Sequence, residues 1–234
     1  MTDPGTFNSY ARNYDKVVEA AIGASGESVE FFAELRVRLA RDAISSQVPR
    51  SILDFGCGIG NTVRLLARAF PKTVVTGVDP SQEIIEVARE RSSTDARRCR
   101  FVVQEETHLP FPDESFDVGF TSNVLHHIPR RDHLSWIREL RRVIRPDGMI
   151  LLFEHNPFNP LTRRSVRLCE FDKGVELLRP SYIRDLLRGG GFVPEPPQYY
   201  FIFPRFLSAL RPLERLVSSL PLGAQYFVRA QRAR

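Results

Sequence analysis

Residues 51–61 read Ser51-Ile52-Leu53-Asp54-Phe55-Gly56-Cys57-Gly58-Ile59-Gly60-Asn61, and the reading of this stretch decides the fold. Two apolar residues, Ile52 and Leu53, lead into an acid, and glycines follow at every second position, Gly56, Gly58 and Gly60. Beyond them Val63, Leu66, Ala67 and Phe70 recur at helical spacing. The pattern is a strand, a tight glycine turn and a helix N-terminus, a geometry that lets backbone approach a nucleotide-like ligand. A second apolar run, Thr73 to Val78, ends in Asp79, nineteen residues past Gly60. An acid at about that offset suits the two hydroxyls of a ribose.

The glycine spacing is GxGxG, not the GxGxxG of a pyrophosphate site, and Asp54 stands where it would repel phosphate. A ligand with a cationic amino-acid end, a ribose and no phosphate answers both features. S-adenosylmethionine is such a molecule and NAD is not.

Further motifs extend the pattern. Gly77-Val78-Asp79-Pro80-Ser81 is followed by Leu109-Pro110-Phe111-Pro112-Asp113-Glu114-Ser115-Phe116-Asp117-Val118, and Leu140-Arg141-Arg142-Val143-Ile144-Arg145-Pro146-Asp147-Gly148-Met149 closes the set. In this order, residues 50–155 resemble the core of a class I S-adenosylmethionine-dependent methyltransferase, of the group that includes the ubiquinone and menaquinone biosynthesis enzymes. The resemblance implies an α/β, Rossmann-like seven-stranded sheet, mostly parallel, with an antiparallel C-terminal hairpin and helices on both faces.

The residues agree with that architecture. Strands are expected at about 51–55, 73–78, 100–103, 116–121 and 149–154, and helices at about 61–69, 81–91 and 131–144. Pro146-Asp147-Gly148 stops the last of these helices and turns the chain into the fifth strand. The whole chain, 1–234, reads as a single methyltransferase domain in three parts: a helical cap over 1–49, a cofactor-binding core over 50–155, and a substrate-side segment over 156–234. In the cap, Phe31, Phe32, Leu35, Leu39 and Ala43 form one stripe. In the last part the helix from Pro180 ends at Gly189-Gly190-Gly191. Two strands, 199–203 and 225–230, then form the hairpin, interrupted by a helical insertion at 204–222. Phe206, Leu210, Leu213, Val217 and Leu220 give that insertion an amphipathic pattern, and Pro212 predicts a kink or two short helices.

Composition bounds the classes of function. The chain has 234 residues, 42% hydrophobic and 26% charged, which describes a globular domain with a sizeable core. No run approaches the roughly twenty apolar residues of a membrane span, and the polar start argues against a signal peptide, so a cytoplasmic location is expected. Cys57, Cys99 and Cys169 are too few and too scattered for a disulfide framework or a zinc site, and no metal is expected. The net charge is +5, but 30 of the 33 basic residues are arginine spread over the chain. The clusters Arg97/Arg98/Arg100 and Arg138/Arg141/Arg142/Arg145 read as solvated faces, and no nucleic-acid partner is expected.

Methyl transfer from a sulfonium needs alignment above all, and a general base only when the nucleophile carries a proton. By resemblance, Asp54 orients the cofactor's amino group, and Gly56, Cys57, Gly58 and Gly60 let the backbone approach. Asp79 takes the ribose hydroxyls, with Pro80 and Ser81 beside it. Glu105 stands where the family usually has the adenine-binding Asp, and Glu106 contributes its amide. Asn123 touches the cofactor through its backbone. Tyr14 of Tyr10-Ala11-Arg12-Asn13-Tyr14-Asp15 closes over the methionine end, with Tyr10 towards the substrate. His127, and with a lesser claim His126, are the candidate bases, and His155 at the end of the fifth strand is a substrate-binding candidate. The expected acceptor is a small molecule, hydrophobic or lipid-linked, methylated on oxygen or carbon. The insertion 204–222 is a candidate for a peripheral membrane or dimer contact. Alternatives are a non-methylating homologue, such as a cyclase or partner subunit, and an RNA or protein methyltransferase.

Overall fold

A computed structural model describes residues 14–44, 48–104, 107–172 and 174–233. Two helices, α1 (Tyr14–Ile22) and α2 (Val29–Ala43), precede the sheet. Five strands follow with helices between them: β1 (Ser51–Phe55), α3 (Asn61–Ala69), β2 (Val74–Asp79), α4 (Gln82–Arg91), β3 (Cys99–Val103), β4 (Phe116–Ser122), α5 (Arg130–Val143) and β5 (Ile144–His155). Beyond β5 come α6 (Pro160–Leu168), α7 (Pro180–Gly189), β6 (Phe192–Pro194), β7 (Gln198–Tyr200) and β8 (Gln225–Arg232).

The strands lie in the order β3-β2-β1-β4-β5-β8-β6, with β7 also on β8. β1 to β5 run parallel, and β8 enters antiparallel to β5, pairing Met149 with Gln231 through to His155 with Gln225. Eight strands thus occupy seven positions. β6 pairs with Ala230–Arg232 and β7 with Gln225–Phe227, so the edge strand is split in two. Between the halves stand Pro196 and Pro197, which have no amide hydrogen to give to the ladder.

Alternating side chains send the sheet's two faces into two separate cores. Ile52, Leu151 and Phe227 pack on one face with Phe32, Val63, Leu66 and Phe153, while Leu53, Leu152 and Tyr226 pack on the other with Trp136, Ile137, Leu140 and Leu187. Burial on both faces is what a central parallel sheet requires. It is why β1 is apolar at consecutive positions and not at alternate ones.

Some boundaries differ from the expected ones. The strand expected at 199–203 ends at Tyr200, because Phe201 has φ +59° and Glu214 takes the amides of Phe201, Ile202 and Phe203 (3.1, 2.9 and 2.8 Å). The insertion forms tight 3₁₀ turns over Arg205–Val217, and its break falls at Leu207, not at Pro212. The arginines of α5 are not simply solvated. Arg142 donates to the carbonyls of Leu109 and Phe111 (3.0 and 2.8 Å) and pairs with Glu139, fixing the loop before β4.

Candidate active site

At the carboxyl ends of β1, β2, β4 and β5 one cavity of about 250 Å³ opens, and α1, α2 and α6 roof it. Open α/β sheets bind ligands at this edge.

The glycine turn forms the floor. The amides of Gly56 and Cys57 both donate to the Val78 carbonyl (2.9 Å each), which ties the turn to β2. Gly56 has φ +74°, and a Cβ there would meet Val124 at 2.3 Å. Gly58 has φ +52° and nothing within 4 Å of a Cβ, so its backbone is open to the cavity. Gly60 does not line the cavity. It caps α3 at φ +78°, and a Cβ would meet the Phe101 ring at 2.8 Å, so it serves helix–strand packing.

Asp79 closes the floor. Its Oδ2 accepts from the Gly58 amide and its Oδ1 from the Ser81 amide, both at 3.1 Å. Ser81 in turn caps α4 by accepting from the Ile84 amide. Burial pushes the Asp79 carboxyl up to about 6 against those two hydrogen bonds. Asp54 is more deeply enclosed. Burial drives its carboxyl up to about 7, with Arg36 opposing and Asp79 adding to the rise.

Several polar atoms around the cavity are buried without a hydrogen-bond partner among the described residues: Asp54 Oδ2, Arg36 Nε, Gln104 Oε1, Ser122 Oγ and Asn123 Oδ1. Unsatisfied buried polar atoms are costly, so five around one cavity indicate a polar ligand that supplies the missing partners. Asn123, at φ +57°, gives its amide to the Phe153 carbonyl (2.9 Å). Its backbone N–H is therefore committed to β5, which leaves its carbonyl and side chain for a ligand.

The opposite end of the cavity holds three histidines. The short turn Leu125–His127 is fixed from behind by His133, whose Nε2 lies 2.9 and 2.8 Å from the carbonyls of Leu125 and Ile128. Glu154 of β5 accepts from the Leu125 amide (3.1 Å) and from His126 Nδ1 (2.6 Å). Asp172 lies 3.6 Å from His126 Nε2 and 3.3 Å from His127 Nε2. Burial opposes charge on His126, but the two carboxylates outweigh it and push its pKa up to about 10. The His126 side chain is fully enclosed between Glu154 and Asp172, and their charges favour its protonated form, which suits it less than His127 to accept a proton. Burial and the His126 charge lower the pKa of His127, and the same two causes bring His155 down to about 4. Burial works against ionisation of Asp172, yet the two histidines hold its pKa below the usual range. The donor atoms of His126, His127 and Asp172 lie within 4.8 Å of one another, close enough for a divalent cation.

Among the residues expected to form a site, Asp54, Gly56, Cys57, Gly58, Asp79, Pro80, Ser81, Asn123, His126, His127 and His155 all line this one cavity. Tyr10, Glu105 and Glu106 lie outside the described residues, as does the side chain of Tyr14, whose backbone opens α1. Among the contributors that escaped sequence reasoning are Arg36, Gln225 and Asp172. Arg36 comes from α2, one helical turn beyond Phe32 on the buried stripe, and a cation on an apolar stripe was a usable signal. Gln225 joins Arg36 (3.4 Å), Tyr200 Oη (2.6 Å) and His155 Nδ1 (3.4 Å). Asp172 sits in an irregular segment where no periodicity marks it.

Known proteins are similar to this chain. Residues 52–148 match the family model described as "Methyltransferase domain". Trans-aconitate 2-methyltransferase of Afipia carboxidovorans is 32% identical over 200 residues, covering 82% of this chain and 69% of that protein. The 27-O-demethylrifamycin SV methyltransferase of Amycolatopsis mediterranei is 32% identical over 167 residues, covering 65% and 60%. The crystal structure of the [4+2]-cyclase SpnF superposes with a TM-score of 0.63 at 17% identity, covering 86% of this chain and 81% of that one, which speaks to the fold.

Proposed function

The chain belongs to the class I S-adenosylmethionine-dependent methyltransferases, and from that premise we propose that it methylates a hydroxyl of a small hydrophobic or lipid-linked acceptor. One observation carries the reading: the cavity floored by Asp54, Gly58 and Asp79 continues without interruption to His127 and Asp172.

The cofactor supplies, when bound, a methyl group on a sulfonium centre. Asp79 holds the ribose hydroxyls with the lone pairs its amide partners leave over. Asp54 orients the amino group, Arg36 takes the carboxylate, and the turn from Gly56 to Gly58 gives room for the backbone to approach. Ser122, Gln104 and the Asn123 side chain supply further polar contacts. Gly60, Pro80 and Ser81 act indirectly, by setting the turn and the start of α4. Glu105, Glu106 and Tyr14 keep the cofactor roles, and Tyr10 the substrate role, that the family pattern gives them.

At the far end His127 accepts the proton of the acceptor hydroxyl. Its depressed pKa keeps it neutral near pH 7, as a base must be. Asp172, beside Nε2, orients the ring and stabilises the imidazolium that forms. Neutral His155 offers a hydrogen bond to the acceptor, and Phe32 and Ile128 keep water out. Among the relatives, one is named for acting on 27-O-demethylrifamycin SV, which supports an oxygen nucleophile here.

The test is transfer of a deuterated methyl group to a panel of prenylated phenols, hydroquinones and macrocyclic alcohols. Label should appear on oxygen, and His127→Ala should lower kcat by about 10²–10⁴-fold with unchanged affinity for S-adenosylhomocysteine. The kcat of the wild type should fall only below the ordinary imidazole range, because the His127 pKa is lowered. Label on carbon or nitrogen at full rate in His127→Ala would overturn the assignment.

A further inference from the structure

Exposed large apolar side chains gather on two segments. The insertion and its continuation expose Phe206 and Leu216, each 80% accessible, together with Leu213, Leu220 and Leu222. α6 and its entry expose Phe158, Leu161 and Leu168. Side-chain hydrogen bonds join the two segments along residues 221–224. Asn156 Nδ2 donates to the carbonyls of Pro221 and Gly223 (3.1 and 2.7 Å), Asn159 Nδ2 to that of Leu222 (2.9 Å), and Thr162 Oγ1 to that of Ala224 (2.8 Å). These bonds hold the end of the insertion against α6, so exposed apolar side chains of the two segments meet there, more than the single scattered residues that need no explanation.

Its charge is mainly positive, with Asp42 beside Arg215 (3.7 Å) and exposed Glu170 at its margins. Arg163, Arg164, Arg167, Arg205 and Arg215 are exposed on these segments. Residues 156–169 and 202–224 contain one acid, Glu214, and it is turned inward onto the amides of residues 201–203. In α6, Leu161, Arg164 and Leu168 follow one another at helical spacing on the outer side. The inner side of the same helix, at Ser165 and Val166, lines the cavity.

We propose that this apolar face, set with arginines, seats the protein on an anionic lipid bilayer. Leucine and phenylalanine side chains enter the headgroup boundary, and the guanidinium groups meet lipid phosphates. A second copy of the chain fits less well, because a two-fold contact would press the same arginines against each other. Seating places α6, and with it the side of the cavity it walls, at the lipid. That a lipid-linked acceptor enters there rests on the function proposed above; the bilayer contact does not.

The experiment is flotation of the full chain with vesicles of phosphatidylcholine alone or mixed equally with phosphatidylglycerol, at low and high salt and without methyl donor. The wild type should float with the anionic vesicles, less so at high salt. The double variant Phe206→Ser/Leu216→Ser should lose at least about tenfold in partitioning. The triple variant Arg163→Gln/Arg164→Gln/Arg167→Gln should lose the preference for phosphatidylglycerol. Unchanged calorimetric binding of S-adenosylhomocysteine in both variants verifies their folding. Three results would overturn the proposal: a wild type that stays unbound, a double variant that binds as well as wild type, or a solution dimer by light scattering that the double variant disperses. None of these touches methyl transfer, so the two proposals fail separately.

Discussion

At the scale of single residues, the two carboxyls of the cavity floor do different things. Asp79 has both oxygens engaged by amides, so it shapes the turn as well as facing the ligand. Hydrogen bonds to a charged group contribute about 1.5–3 kcal/mol each, so Asp79→Ala should weaken S-adenosylhomocysteine binding by about ten- to hundredfold in calorimetry. An unchanged affinity would mean the carboxylate serves the turn alone. Asp54 bears on pH. Its carboxyl sits at about 7 in the free protein and that of Asp79 at about 6, so both gain protons as pH falls through those values. A cationic amino group favours ionised Asp54, which lowers its pKa in the complex, so binding releases a proton. Affinity should therefore weaken as pH drops from about 8 to about 6. Calorimetry near the Asp54 value, in buffers of different ionisation enthalpy, should show proton release; proton uptake would contradict the assignment. The acid at the end of β1 was legible in the sequence. What sets His126 and His127 apart was not, because Asp172, 45 residues from His127, decides it.

At the scale of elements, the chain after β5 departs most from the regular pattern. Pro196-Pro197 divides the edge strand, and Glu214 halts β7 by capturing three consecutive amides. The same carboxylate anchors the insertion, helped by Arg211, which pairs with Glu27 (2.6 Å) and lies 4.7 Å from the centre of the Phe31 ring. Removing the acceptor leaves half-buried amides unsatisfied, at about 1–3 kcal/mol for a buried group. Glu214→Ala should therefore speed tryptic cleavage in the segment 205–215 while affinity for S-adenosylhomocysteine is kept. Equal cleavage rates would show that the segment is held by something else. The amphipathic pattern of 204–222 was visible in sequence, but which way its apolar side turns was not. Periodicity gives a face and does not say what that face meets.

At the scale of the whole molecule, the parallel order β3-β2-β1-β4-β5 brings the ends of β1, β2, β4 and β5 to one edge, and two helices from the start of the chain roof them. Val18 and Ile22 of α1 and Phe32 and Arg36 of α2 line the cavity together with the glycine turn. A ligand touching both roof and floor stabilises the closed arrangement by its differential affinity for it. Hydrogen exchange across Val29–Ala43 should accordingly slow when S-adenosylhomocysteine binds. Exchange unchanged there, with slowing confined to the glycine turn, would mean the cap takes no part in binding.

The sequence by itself determined the sheet, its parallel core and the glycine turn with the two acids that floors the cavity. Glycine spacing, apolar periodicity and the two acids are local chemistry, written within about thirty residues of each other. Only the tertiary structure decided the far end of the cavity. There the properties that matter are burial and proximity among Arg36, His126, His127, Glu154, Asp172 and Gln225, which come from five separate stretches of the chain. The pKa of a histidine depends on the charges that folding brings beside it, and no spacing along the chain encodes that.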